Sequence, residues 1–594
     1  MGSQQRPAAG AGQQVPAIAV DQSAAQTPRP GGPRPWASRA ALAWIGAYAV
    51  AGVVLFLCYL RVSGTQSISS DGGSNALEAW DMLHGNLALH GWTLTDVSFY
   101  TTELPEYMLV ELIRGLSPAV VHTAAAFTYT LLVLLAGLVA KGRATGREGV
   151  ARVLIGSGLM LAPQLGNPVF VLLLVPDHVG TGVPILLIFL VLDRAPQRWY
   201  VPPLIALMLA WATIGDRLVI VAAILPIVVA CSIRIFRGVV LAGRELTAVW
   251  FEIALIAASI TGLGISLLVL RVLGRLGGFT LLPLVTHVAT VSSLGKNFRL
   301  TGEGLLGLFG ADVIHAPPGL QTAIAAFHLV GLALAAWALC RALRRFLRCE
   351  DLLVQVLTLG ILADAAAFAF SSLPYSIWDT RQISAVLPFG AVLAGRLLAG
   401  DLLRVRLVPA LAVLLACYTA ALGFDAVQPA IPAHDQPLAD WLVAHDFSYG
   451  LSNYFEGNIT TLDSGGRVHL VAVSWGADKS VPRAYQSDAS WYDPQLHYAN
   501  FVVNTGADQP QAIIPSGDLM TAFGRPARIY HDGPYTILVW DKNLLADLGR
   551  PPREGPGNVG PARLPDGGVI GRRETRGSPL VSRPGRGGRG GCGS

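Results

Sequence analysis

Eleven apolar runs, separated by polar loops, constrain this chain more than any other feature. They lie near 41–61, 118–140, 150–163, 181–193, 200–214, 218–233, 247–272, 320–340, 352–373, 382–399 and 407–424. A run of about twenty apolar residues crosses a bilayer, and backbone inside a bilayer must satisfy its own hydrogen bonds, so each run is expected to be a helix. At 52% hydrophobic and 14% charged residues, the chain is too apolar for an ordinary soluble protein. The first run does not look like a cleavable signal: some forty residues precede it, and no small-residue cleavage site followed by a soluble chain comes after. The expected fold class is an α-helical polytopic membrane protein of about eleven transmembrane helices, with a small extracytoplasmic α/β domain at its C-terminal end.

Lysine and arginine set the expected orientation. The loops at 141–152, 193–199, 234–244, 341–348 and 401–406 are basic, whereas the alternate loops are poorer in basic residues for their length. The positive-inside rule then puts the N-terminus in the cytoplasm and everything beyond about 425 outside the cell membrane. The net charge of +5 follows from these loops and the tail, so it argues for topology and against nucleic-acid binding. Residues 1–38 and 551–594 are low in complexity and are expected to be disordered. Between them come a transmembrane module at 39–424, with 62–117 as its first external loop, and the exported domain at 425–550. That domain has no Cys, which leaves it no disulfide framework and no thiolate metal site.

The first external loop concentrates the chemistry. Residues 67–107 carry Asp71, Glu78, Asp81, His84, His90, Asp96, Glu103 and Glu106, with Trp80, Trp92, Phe99 and Tyr100 between them. Ionisable groups mixed with aromatics suit a binding cleft better than a spacer. The runs at 181–193, 200–214 and 218–233 look too short to cross, so the turn Gly215-Asp216-Arg217 is expected to sit recessed at the depth of lipid phosphates. The Pro/Gly-broken stretch 163–182 reads as a re-entrant or outer half-helix leading to Asp177-His178. Plainer readings stand beside these. Asp71 could cap the helix that follows it. Glu78, Asp81 and His84, three residues apart, could form a solvated face, and Tyr100, Glu103 and Tyr107 could seat the loop at the membrane interface. Asp216 and Arg217 could simply pair with each other. Arg381, in Trp378-Asp379-Thr380-Arg381, could be an interface anchor or a phosphate ligand. Asn458-Ile459-Thr460 matches a glycosylation sequon, a triplet that also arises by chance.

The exported segment reads as a small mixed domain. DQPLADWLVAHD is an amphipathic helix, RVHLVAVSW and ANFVVN are strands, and ARIYHDGPYTILVW is a hairpin turning at Asp532-Gly533-Pro534. The acids and histidines here are dispersed. The domain is therefore expected to lie as a lid that shapes acceptor choice and carries no chemistry, with Tyr454, Trp475 and Trp491 as candidate sugar contacts or core residues.

The order of these features resembles the GT-C superfamily of membrane glycosyltransferases, which use polyprenyl-phosphate sugars as donors. The resemblance rests on Ser70-Asp71-Gly72 after the first span, the long first external loop, Pro176-Asp177-His178 in the second, and an α/β domain after the last span. The C-terminal stretch is similar to the exported domains on bacterial members, and the Ala/Gly/Arg-rich composition suits an actinobacterial source and a cell-envelope role. Neither loop carries a full Asp-x-Asp. The resemblance implies transfer of a hexosyl or pentosyl group from a polyprenyl-phosphate sugar to an extracytoplasmic glycan, lipid or protein, amid membrane lipids. Asp71 would be the catalytic base. His178, Arg217, Arg381 and Lys296 (with Arg299 as an alternate) would hold the donor phosphate, and Glu103, Tyr100 and Asp177 would face the acceptor. No cofactor is certain. A divalent cation (Mg2+, Mn2+ or Ca2+), if used, would fall to Asp71, Asp177 and His178. Two rival classes remain: a transporter or flippase built on Asp364, in the middle of the run LTLGILADAAAFAF, and a non-catalytic envelope-assembly protein.

Overall fold

The computed structural model describes residues 35–549 apart from 349–350, 434, 476–479, 484 and 506–515. The expected tails at 1–34 and 551–594 lie outside the described residues, whereas 35–38 already belong to the first helix. Each of the eleven apolar runs is helical: Pro35–Ser63, Pro118–Lys141, Gly146–Gly158, Gly182–Arg194, Val201–Gly215, Ile220–Leu241, Trp250–Arg275, Leu320–Arg344, Leu352–Ala369, Val386–Arg404 and Val408–Ala426. We number these spans one to eleven. Eight are long and apolar enough to cross a membrane.

The short spans are not quite the expected set. Spans four and five have 13 and 15 residues, as anticipated, but span six runs for 22. Its apolar run stops at Arg234, yet the helix continues as wider π-turns over Phe236–Leu241, because Arg234 is held by Glu252 on span seven at 3.1 Å. Span three is instead the third short helix, with 13 residues. The stretch after it forms a seven-residue buried helix, Asn167–Leu173.

One apolar core ties these spans together, from Tyr59 and Tyr129 through Phe189 and Phe389 to Tyr418. At the end of the bundle away from the basic loops lie two helices of the first loop, Ser70–Leu83 and Glu103–Arg114. The C-terminal part holds a six-stranded sheet. Its strands are β3 (Tyr449–Ser452), β4 (His469–Trp475), β5 (Ser480–Pro482), β7 (Phe501–Thr505), β8 (Arg528–Asp532) and β9 (Tyr535–Val539), in the order β5-β4-β3-β7-β9-β8. Strands β3, β4 and β7 pair in parallel, and the rest of the sheet is antiparallel. The Gly533-Pro534 turn closes the β8–β9 hairpin as read from sequence. Alternate residues feed two cores. Val471, Val502 and Leu538 meet Phe523 and Trp540 on one face, and Leu470, Phe501 and Ile537 meet Leu438 and Leu442 on the other.

This sheet is not a detached lid. The helix Tyr454–Asp463 puts Ile459 and Leu462 into a core shared with Ala76, Tyr107, Val121 and Val175. A second, small sheet knits three distant segments: β1 (Trp92–Leu94) lies between β2 (Thr280–Leu281) and β6 (Ser487–Asp488). The sequon residue Asn458 is buried and donates to Ser74 Oγ at 2.6 Å, so it serves packing rather than carrying a glycan.

Candidate functional site

Asp71 takes its place from local helix chemistry. The helix Ser70–Leu83 begins just after span one, and Ser69, not Asp71, caps it, its Oγ accepting from Gly72 N at 3.3 Å. Asp71 falls in the first turn, where free N–H groups favour an anion. The next residue must be small: a Cβ on Gly72 would lie 2.6 Å from Val175 and 2.7 Å from Val121. That close seat presses the helix onto span two and turns Asp71 toward Arg381.

Three carboxamide or hydroxyl groups and one guanidinium then close around two acids. Asp71 Oδ2 accepts from Arg381 Nη2 at 2.8 Å, and its Oδ1 accepts from the Tyr454 hydroxyl at 2.7 Å. Arg381 Nη1 lies 3.9 Å from Asp177 Oδ2. Asp177 Oδ1 accepts from Asn75 Nδ2 at 2.6 Å, one helical turn beyond Asp71. Gln486, which contacts the Tyr454 hydroxyl, reaches Asn75 Oδ1 at 3.4 Å and completes the ring.

The charges divide accordingly. Burial alone would raise the pKa of Asp71, but the Arg381 guanidinium, with the Tyr454 hydroxyl and His178, outweighs it and holds the carboxyl below its ordinary value. Asp177 is more deeply buried and farther from Arg381, so desolvation wins and its pKa rises to about 6. Desolvation works against the charged guanidinium, but Asp71 and Asp177 keep Arg381 firmly protonated.

His178, beside Asp177 in sequence, points the other way. Its backbone is left-handed, with φ 61°, a conformation uncommon for a non-glycine residue. Its Nδ1 meets Asp216 Oδ2 at 2.9 Å, and Asp216 also accepts from Thr181 Oγ1 at 2.6 Å and Leu218 N at 2.8 Å. Burial would discharge both partners. Their mutual attraction overrides it, lowering the Asp216 pKa and raising that of His178.

Two cavities lie on either side of this polar wall. One, of about 430 Å3, is lined by Asp71, Arg381 and Tyr454 and by the apolar Phe170, Leu174 and Trp378. The other, of about 230 Å3, is lined by His178, Asp216, Arg217 and Asp364 together with Val221 and Phe368. The short helix Ile377–Ile383 serves both, with Arg381 on the first and Gln382 and Ile383 on the second.

Asp71, Asp177 and Arg381 are therefore brought together, and His178 adjoins them. Arg217 lines the neighbouring cavity and not that of Asp71; it pairs with no acid among the described residues, because Asp216 turns to His178. Lys296 is exposed and lies over the Tyr375 ring at 4.7 Å, and Arg299 faces Glu303 at 3.8 Å; neither lines the two cavities. Tyr100 is a structural residue, donating to Leu87 O at 2.9 Å and packing on Phe279. Glu103 is buried against Thr102 and Gly180, with its pKa raised well above normal chiefly by burial. Glu78 is also buried and so is not part of a solvated face, although His84 is exposed: burial, then Asp177 and Asp71, push the Glu78 pKa up. Nor do Asp71, Asp177 and His178 converge as metal ligands. Arg381 stands between the two carboxylates, the His178 Nδ1 is taken by Asp216, and no cluster of three or more ligands able to hold an ion occurs among the described residues.

Asp364 lies toward the Asp71 end of span nine, five positions before its last residue, rather than at its midpoint. Asn75 and Gln486 were not legible as site residues. Tyr454 was read as a sugar contact or core residue, and its bond to Asp71 crosses 383 positions of sequence.

No family model and no curated protein matches the chain. Among solved structures it is similar to ArnT from Cupriavidus metallidurans in the apo state, with a TM-score of 0.50 and 13% identity, covering 86% of this chain and 100% of that one. The same protein bound to undecaprenyl phosphate gives a TM-score of 0.49 and 12% identity over the same shares. The likeness to the apo structure shows the fold alone, an ArnT-like helical membrane fold.

Proposed function

We propose that the chain transfers a sugar from a polyprenyl-phosphate donor to an acceptor outside the cytoplasm. The observation that carries this reading is the half-buried Asp71, ionised at the mouth of a cleft and held by a single arginine that a phosphate could take over. In a GT-C-like fold, an acid directly after the first span suits the base that removes the acceptor hydroxyl proton. As that oxygen bonds to the anomeric carbon, the bond from that carbon to the phosphate's bridging oxygen breaks, and negative charge grows on the leaving phosphate. Arg217 and His178⁺ in the smaller cavity, with Arg381 at the seam, supply the compensating positive charge. Arg381 thus acts as a latch: without a phosphate it neutralises Asp71, and when a phosphate draws it away the base is freed. A divalent cation would have to displace Arg381 from the carboxylates to join this scheme.

Transport is less well supported. The cavity that Asp364 lines is walled by residues from the outer ends of spans and from outer loops, and its lining does not reach the basic face. An actinobacterial source, a cell-envelope acceptor and an extracytoplasmic position for the C-terminal domain fit the reading as further proposals. Asp71→Asn tests the core of it. The substitution keeps the shape but removes basicity, so transfer from labelled polyprenyl-phosphate sugars should fall by about two orders of magnitude or more. Donor binding should be no weaker, because the phosphate no longer competes with a carboxylate for Arg381. Normal turnover in this variant would move the base elsewhere.

A further inference from the structure

The largest of these cavities lies at the opposite end of the bundle from Asp71. It measures about 1150 Å3 and opens between spans one, three, ten and eleven, on the face that carries the basic loops. Its polar rim is made by Lys141, Arg147 and Arg406, and among the described residues no Asp or Glu lines it. Among the described residues, none of the three cations forms an ion pair. Lys141 Nζ instead sits 5.6 Å above the ring of Trp44, near the start of the apolar part of span one, and aromatics at span ends are typical of membrane interfaces.

The backbone adds to the same field. Span three starts at Gly146 and span eleven at Val408, so two helices begin at this rim; Thr145 and Leu407, the residues before them, make no side-chain cap. Their first N–H groups add positive potential where the three side chains already concentrate it. Arg406 also stands in the left-handed region, φ 56°, at the turn between spans ten and eleven. Glycine is the usual residue for such a helix end, so a strained arginine here has a use other than the turn.

Below the rim the cavity becomes apolar. Leu154 lies eight residues along span three from Gly146, about 12 Å deeper by helical rise, and Leu411 faces the same space from span eleven. A cationic rim over an apolar trough beside membrane-embedded helices matches one chemical class: an anionic diacyl phospholipid, phosphate at the cations and acyl chain along the trough. We propose that this groove is a binding site for an anionic phospholipid of the membrane leaflet on the basic side. The lipid would bridge span one to the body of the bundle. This inference does not depend on the catalytic reading.

The test uses the full chain, reconstituted in mixed phosphatidylglycerol–phosphatidylcholine vesicles and re-extracted, with bound lipid counted by native mass spectrometry. The wild type should retain phosphatidylglycerol in preference to phosphatidylcholine. Each cation removed should lower that retention about fivefold, and Lys141→Ala/Arg147→Ala/Arg406→Ala combined should bring it to the phosphatidylcholine level. Arg406→Gly guards against misfolding, because it relieves the left-handed strain while removing the charge, and it should lose lipid without losing thermal stability. Arg147→Lys should keep the lipid. Equal retention of both lipids by the wild type, unchanged retention in the combined variant and in Arg406→Gly, or displacement of the lipid by inorganic phosphate alone would each overturn the proposal.

Discussion

Arg396 and Arg381 make the same pattern at opposite ends of the bundle, and only one of them looks functional. Each is an arginine placed between two aspartates. Arg396, on span ten at the basic end, meets Asp193 at 2.7 Å and Asp351 at 3.0 Å and donates to Val139 O at 2.9 Å. Its side chain is 5% exposed, and it ties spans two, four and ten to the cap of span nine. Arg381 meets Asp71 at 2.8 Å and Asp177 at 3.9 Å; its side chain is 28% exposed and faces a cleft. The first arginine is enclosed by its partners. The second is held loosely enough, and openly enough, for an incoming anion to compete for it. What separates a structural arginine from a working one is therefore the space beside it rather than the number of its carboxylates.

The sharpest way to break this comparison is to remove each arginine in turn. Arg396→Ala leaves Asp193 without its arginine in a dry inner position, and breaking such a buried pair costs about 3–5 kcal/mol. Arg381→Ala leaves acids that face water or are already able to hold a proton, so the loss should be about 1 kcal/mol or less. Thermal unfolding in detergent should show a large drop for the first and a small one for the second, with catalytic loss dominating the second. Equal destabilisation would mean that Arg381 is also a structural clamp.

A second contrast is between Arg381, which has carboxylate partners, and Arg217, which has none among the described residues yet lines a cavity with His178 and Asp216. A cation left without a carboxylate in such a place is open to an anion. Arg217→Ala should weaken binding of polyprenyl phosphate by about 1.5–3 kcal/mol, the worth of a charge-assisted hydrogen bond. Titration of the purified protein with the lipid phosphate would measure it. Undiminished affinity would remove Arg217 from the donor site.

The ends of the molecule also differ in how far they could be read from sequence. The eleven helices, the β8–β9 hairpin and strands β4 and β7 follow from local periodicity and stand near where they were expected. Asp71, Asp177 and Arg381 were each visible as acids or cations at span ends on the same side, which put them within reach of one another but did not fix their pairing. The separation of Arg217 from Asp71 was not visible, because it depends on adjacent residues Asp177 and His178 facing opposite ways, through a left-handed backbone at His178. The burial of Glu78 was hidden for a similar reason: a helix with acids three residues apart looks solvated until the C-terminal domain covers it. That covering rests on pairs such as Ser70 with Phe455 O, separated by 385 positions. The length of span six was misjudged because one arginine with a partner does not end a helix.

Acid titration sharpens the latch itself. Asp177 has a folded pKa of about 6, above the ordinary aspartate value of about 3.9. Its burial is therefore tolerated while it is protonated, and its contribution to stability falls as pH rises between those two values. At neutral pH, Asp177→Asn should then be no less stable than the wild type. Activity should run the other way. Below about pH 6, neutral Asp177 leaves Arg381 to Asp71 alone; above it, the ionised carboxylate shares the guanidinium and loosens the base. The rate profile should rise through about pH 6, roughly tenfold per unit below it, and Asp177→Asn should abolish that limb. A wild-type profile flat from pH 5 to 8 would detach Asp177 from the latch.

The smallest expected effect tests whether the C-terminal domain belongs to the site or merely covers it. From sequence it was expected to carry no chemistry, yet the hydroxyl of Tyr454 donates to Asp71 at 2.7 Å while Arg483 lies 4.5 Å over its ring. Tyr454→Phe keeps the ring, its packing on Tyr485 and the fold of the domain, and removes one hydrogen bond to the base. Such a bond is worth about 0.5–1.5 kcal/mol, so kcat/KM should fall by roughly two- to twelvefold while thermal stability barely moves. With one favourable donor gone, the Asp71 pKa should also rise, and any acid limb due to Asp71 should move to higher pH. If Tyr454→Phe changes neither rate nor pH profile, the domain acts on the acceptor from above, as a cover, and Asp71 is set by Arg381 alone.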